Sequence, residues 1–116
     1  MKRALTIAAI LLSATAAYGQ SRPISAGTVN ASAVITLGNT FQTILAAGNR
    51  QSVTIQNNMV TTDNCWVFVG GGTATVAKSI LLTPGMSYTR YYPFVPNDAI
   101  QATCASTNDT LYVDTN

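Results

Sequence analysis

Beyond residue 31 the chain alternates apolar and polar positions in short runs, and turn residues break these runs roughly every ten positions. No stretch repeats its apolar residues at helical spacing. Residues 33–37 (Ala-Val-Ile-Thr-Leu) and 40–45 (Thr-Phe-Gln-Thr-Ile-Leu) flank Gly38-Asn39. That dipeptide tolerates the positive φ of a tight turn, so the spacing predicts a β-hairpin. Residues 52–56 set Val53 and Ile55 on one face and Thr54 and Gln56 on the other. Residues 65–69 (Cys-Trp-Val-Phe-Val) are apolar on both faces, as in a central strand covered on both sides. Gly70-Gly71-Gly72 ends that run. Residues 78–82 form another strand, and Thr83-Pro84-Gly85-Met86 then fits a type II turn. Residues 87–92, 99–104 and 110–114 complete the set. The pattern predicts one all-β domain over residues 32–116. It is an antiparallel β-sandwich of about eight short strands, jelly-roll or Ig-like.

The first residues follow another logic. Lys2 and Arg3 precede a run over residues 4–12 that is apolar apart from Thr6, and small residues follow. This is the layout of a secretory signal peptide. Ala17 and Gly19 place the cut after residue 19, and Ala14 and Ala16 offer an earlier one after Ala16. The run is far shorter than the ~20 residues that span a bilayer. No cysteine sits near the cut, which disfavours a lipid anchor. The expected organisation is a signal peptide over 1–19, a flexible, small and polar leader over 20–31, and the sandwich. The expected location is secreted or periplasmic, with no transmembrane segment after cleavage.

Composition then narrows the chemistry. The four acids, Asp63, Asp98, Asp109 and Asp114, are matched by Arg22, Arg50, Lys78 and Arg90. The formal charge of +2 is therefore carried by Lys2 and Arg3. No basic cluster is present for a nucleic-acid backbone. The chain has no histidine and no glutamate. It thus lacks the parts of a Ser-His-Asp or Cys-His nucleophile, and with both cysteines expected to be bonded to each other it lacks the usual zinc ligands. The expectation is a non-enzyme with no cofactor. Each aspartate sits in or beside a turn cluster, where its side chain caps backbone amides. The sharper reading takes Asp98 and Asp109 as oxygen donors of a calcium site, without any DxDxDG loop to support it.

Cys65 shares a face with Val67, and Cys104 shares a face with Ile100 and Ala102. Two inward cysteines in an exported domain are expected to pair. The closed loop of about 40 residues stabilises by roughly 4 kcal/mol on the chain-entropy model. If Cys65 points inward, Trp66 and Phe68 point outward. Tyr88, Arg90 and Tyr92 share one face of their own run, and Tyr91 lies on the other. Tyrosine, tryptophan and arginine anchor protein and glycan interfaces. These five residues form the candidate binding surface.

Several stretches carry a likeness. They are Arg50 with Val53-Thr54-Ile55-Gln56-Asn57-Asn58, Val67-Phe68-Val69-Gly70-Gly71-Gly72, Leu82-Thr83-Pro84-Gly85-Met86-Ser87-Tyr88 and Ala99-Ile100-Gln101-Ala102. Together they resemble a small β-sandwich domain of phage and prophage accessory structural proteins. The resemblance implies a non-catalytic role in a virion or surface assembly and carries over no active-site residue. An export signal and a disulfide depart from it, because virion parts assemble in the cytoplasm. The resulting expectation is an exported structural or interaction domain of a bacterial envelope or extracellular assembly, whose partners are itself or other surface proteins. A secreted glycan-binding module and a phage-derived virion accessory protein are the alternatives.

Overall fold

The computed structural model describes residues 27–58 and 63–116. The expected signal peptide and most of the expected leader lie outside these residues. Among the described residues there are nine strands: β1 (Val29–Asn30), β2 (Ala33–Val34), β3 (Gln42–Leu45), β4 (Ser52–Asn57), β5 (Cys65–Val69), β6 (Ile80–Leu82), β7 (Ser87–Tyr91), β8 (Ile100–Cys104) and β9 (Thr110–Thr115). A single 3-10 turn, Val76–Lys78, precedes β6. The strand beyond the expected eight is β1, at the end of the leader, where it pairs antiparallel with β9.

The strands form two antiparallel sheets. Sheet A runs β1-β9-β4-β7, with β2 also paired to β9, and sheet B runs β3-β8-β5-β6. Only the β1–β2 and β5–β6 connections stay within one sheet. Every other connection crosses, which is the winding of a jelly roll rather than of an Ig domain. The core lies between the sheets because alternation along each strand sends one set of side chains inward. Val53, Ile55, Leu111 and Val113 of sheet A meet Cys65, Val67, Leu82 and Ile100 of sheet B, all buried. Asn57 is buried at the end of β4, where its Nδ2 donates to Leu82 O at 2.8 Å and Asp63 O at 2.9 Å. It thereby ties sheet A to β6 of sheet B.

The hairpin expected around Gly38-Asn39 does not form. β2 pairs with β9 in sheet A, and β3 pairs with β8 in sheet B. The reason is Ile35, which is fully buried and pulls the chain between the sheets. Its amide donates to Asp109 O, and its carbonyl accepts from Asn108 N at 2.7 Å. Gly38 lies against the β8–β9 turn so closely that a Cβ would fall 2.8 Å from the Ser106 carbonyl carbon. The glycine there serves a close approach of two loops. The type II turn, in contrast, forms as its sequence requires: Gly85 has φ of 84° and Met86 N donates to Thr83 O at 2.9 Å. It carries the chain from β6 across to β7.

Cys65 and Cys104 are directly opposed in the β5–β8 ladder and form a disulfide. Ala105 N donates to Asn64 O in the neighbouring pair. The cysteines therefore occupy a non-hydrogen-bonded position, where side chains approach closest. The bond joins neighbouring strands of one sheet.

Candidate interaction surface

The five residues expected to form one surface are divided between the two sheets. Trp66 and Phe68 lie opposite Thr103 and Gln101 of β8, on the face of sheet B that points away from the core. Phe68 and Thr103 are nevertheless buried, and Trp66 is half-buried. The Val76–Lys78 turn packs against β5. Tyr88 and Arg90 lie opposite Ile55 and Val53, which places them on the inner face of sheet A at its margin. Tyr88 packs against the core, and the Arg90 guanidinium carbon lies 5.0 Å from the centre of its ring. Tyr92 follows the end of β7. The structure thus groups Tyr88, Arg90 and Tyr92 along one strand and sets Trp66 and Phe68 apart on the other sheet.

Three exposed aromatic side chains lie where β7 ends. Tyr91, Tyr92 and Phe94 are 67, 56 and 78 % exposed. Phe94 N donates to Tyr91 O at 2.9 Å, which turns the chain back. Beside this tip lies a cleft of about 290 Å³, lined by Asn49, Arg50, Gln51, Tyr92, Pro93, Val95 and Asn97. Arg50 builds the cleft. Its Nη1 donates to Pro96 O at 2.6 Å and to Asp98 O at 3.1 Å, and its Nη2 donates to Ala46 O. One guanidinium therefore pins the β3–β4 loop to the β7–β8 loop. Its partners are carbonyl dipoles, and burial lowers its pKa from the ordinary guanidinium value. The lining combines side-chain amides, a tyrosine and apolar Pro93 and Val95, groups that suit a neutral polar ligand such as a sugar. Neither Phe94 nor Arg50 stood out in the sequence as an interface or cleft residue. The only signal was an aromatic pair and a phenylalanine packed around two prolines.

The two aspartates considered for calcium are not brought together. Asp98 precedes β8 and Asp109 follows it beyond the next turn, so they flank opposite ends of that strand. Asp98 accepts Arg50 through its backbone carbonyl. The Asp109 carboxylate lies within 4.8 Å of both disulfide sulfurs, which are bonded to each other. Its Oδ2 is buried without a hydrogen-bond partner among the described residues. Burial raises the Asp109 pKa, the charge of Asp63 raises it further, and a hydrogen bond from the Ser106 backbone works against both.

Among the described residues no helix is long and apolar enough to cross a membrane. No protein-family model matches the chain, and no curated protein or solved structure matches it either.

Proposed function

We propose that this protein is a non-catalytic interaction domain of an exported bacterial assembly, attached through the margin of sheet A. The observation that carries this reading is the exposed aromatic tip at the end of β7. Tyr91, Tyr92 and Phe94 project from a sandwich held by a disulfide and by the Arg50 clamp. Exposed aromatics beside an arginine are the residue types that dominate protein interfaces. The export pattern at the start of the chain and the disulfide both suit an oxidising compartment. The test uses the full chain with a C-terminal epitope, produced in a bacterial host and fractionated. Expected are a mature product starting at residue 20 and its co-sedimentation with the envelope or its release into the medium. Tyr91→Ser/Phe94→Ser is expected to leave processing intact and abolish envelope attachment. An unprocessed cytoplasmic product would refute export. Attachment unchanged in the folded double variant would refute the role of the tip.

The cleft supports a second reading, a glycan-binding module. Its amides and Tyr92 could hold a sugar across the face of Pro93 and Val95. Trp66 does not line it, so intrinsic tryptophan fluorescence is a poor reporter. Binding on a glycan array that is lost in Asn97→Ala would favour this reading over the first.

A further inference from the structure

β7 is the open margin of sheet A, since it pairs with β4 and with no other strand among the described residues. Its hydrogen-bonding phase is fixed by two neighbours. Tyr92 N donates to Gln51 O at 2.8 Å, and Asn57 N donates to Met86 O at 3.0 Å. In an antiparallel ladder this phase alternates. Residues 86, 88, 90 and 92 therefore turn their backbone groups toward β4, and Ser87, Thr89 and Tyr91 turn theirs outward. Natural edges are usually protected by bulges, prolines or charges. β7 pairs with β4 through five consecutive residues without a bulge. It contains no proline, and its only charge is Arg90.

We propose that β7 pairs antiparallel with β7 of a second copy, about a twofold axis through Thr89, joining two copies of sheet A into one continuous sheet. This deepens the interaction reading by naming the partner of the same margin. The strand is self-complementary about Thr89. Tyr88 falls opposite Arg90 of the partner subunit in a non-hydrogen-bonded pair, where side chains are closest. The cation–π contact already made within one chain at 5.0 Å is then repeated twice between chains. Met86, 51 % exposed, comes beside Tyr92 of the partner subunit, a sulfur–aromatic pairing. Other axes are poorer. An axis through Arg90 opposes two like charges. An axis through Tyr88 leaves Tyr91 beyond the strand overlap. The outward amides of Ser87, Thr89 and Tyr91 and the carbonyl of Ser87 supply backbone bonds of β-strand addition, and the Thr89 and Tyr91 carbonyls, which already accept from Arg90 Nη1 at 3.4 Å and Phe94 N at 2.9 Å, accept through their second lone pairs. A five-residue edge gives an interface at the small end of the range for specific complexes, so dissociation on the order of micromolar is expected.

The experiment is sedimentation and light scattering of the oxidised mature chain, residues 20–116, over a concentration series. Wild type is expected to rise from one-chain to two-chain mass. Thr89→Pro removes an outward N–H, leaves every β4–β7 backbone bond in place and loses between these strands the Thr89–Thr54 hydroxyl contact at 3.3 Å. It is expected to stay at one-chain mass, with strand circular dichroism and Trp66 emission unchanged. If that variant fails to fold, Thr89→Cys tests the same register. Two such cysteines would meet at the axis and cross-link on mild oxidation, and Tyr88→Cys would not. A one-chain mass for wild type at all concentrations overturns the proposal. So does a dimer that persists in folded Thr89→Pro, or one that fails to cross-link through residue 89. Envelope attachment by a strictly monomeric protein would leave the interaction reading standing without this dimer.

Discussion

Removing the Cys65–Cys104 bond should cost a large share of this domain's stability, and the size of the loss follows from where the bond sits. The two cysteines are 39 residues apart in sequence and directly opposed in the β5–β8 ladder. The ladder on either side is held by its own pairs, Val67 with Ala102 and Trp66 with Thr103. The folded sheet therefore does not depend on the bond for its register. Its effect falls on the unfolded chain, where it closes a long loop. The chain-entropy relation gives about 4 kcal/mol at 25 °C for a loop of this length. Small domains hold roughly 5–15 kcal/mol in total. At 4–8 °C for each kcal/mol, the melting midpoint should fall by roughly 15–30 °C. The assay is urea unfolding of oxidised wild type, reduced wild type and Cys65→Ala/Cys104→Ala. The reduced protein keeps both sulfur atoms, so its loss isolates the cross-link, and the alanine variant adds the lost packing. Oxidised and reduced proteins differing by less than about 1 kcal/mol, with the bond confirmed by mass spectrometry, would refute the reasoning.

Three further outcomes are expected. Arg50→Met leaves three loop carbonyls without their charged donor and should destabilise by about 2–3 kcal/mol, with Arg50→Lys restoring less than half because an ammonium lacks the planar fork; equal stability of the three proteins in denaturant titration would show that Arg50 is no clamp. Gly38→Ala drives a Cβ against Ser106 backbone and should cost about 1–3 kcal/mol, read as a drop in the urea midpoint; a gain, as at an ordinary exposed loop glycine, would contradict the close approach. Asp109 has a raised folded pKa, so the native state binds its proton more tightly than the unfolded chain, and stability falls as pH climbs from the unfolded pKa through the folded one. Asp109→Asn should therefore stabilise more at pH 7 than at pH 3.5 in paired thermal melts, and the reverse order would show the carboxylate to be favourably held.

The individual strands were legible because period-two alternation is a local property. Val53 and Ile55 announce β4, and Leu111 and Val113 announce β9, without reference to any partner. The same parity turned both cysteines inward and so exposed the disulfide. The pairing of strands was not local and did not show. Alternation reports which side of a strand is apolar, but not which sheet the strand joins. Trp66 and Tyr88 therefore looked like members of one surface and belong to two sheets. Gly38-Asn39 carried the chemistry of a tight turn while Ile35, three residues earlier, took the chain into the core. The clamp made by Arg50 does not show in the sequence, because its acceptors are backbone carbonyls of the loops and carry no residue signature. Phe94 was hidden for a similar reason, since a phenylalanine between prolines has no periodicity that tells inside from outside.

The central position of β9 in sheet A has a consequence for the order of events during synthesis. β9 is the last strand to emerge, yet it pairs with β1, β2 and β4. Without it β1 and β2 have no strand partner among the described residues, and β4 keeps its pairing with β7. Nearly every native neighbour is thus distant along the chain, a topology that folds slowly. Sheet A lacks its central strand until residues 110–115 are available, whereas the strands of sheet B have all been made before them.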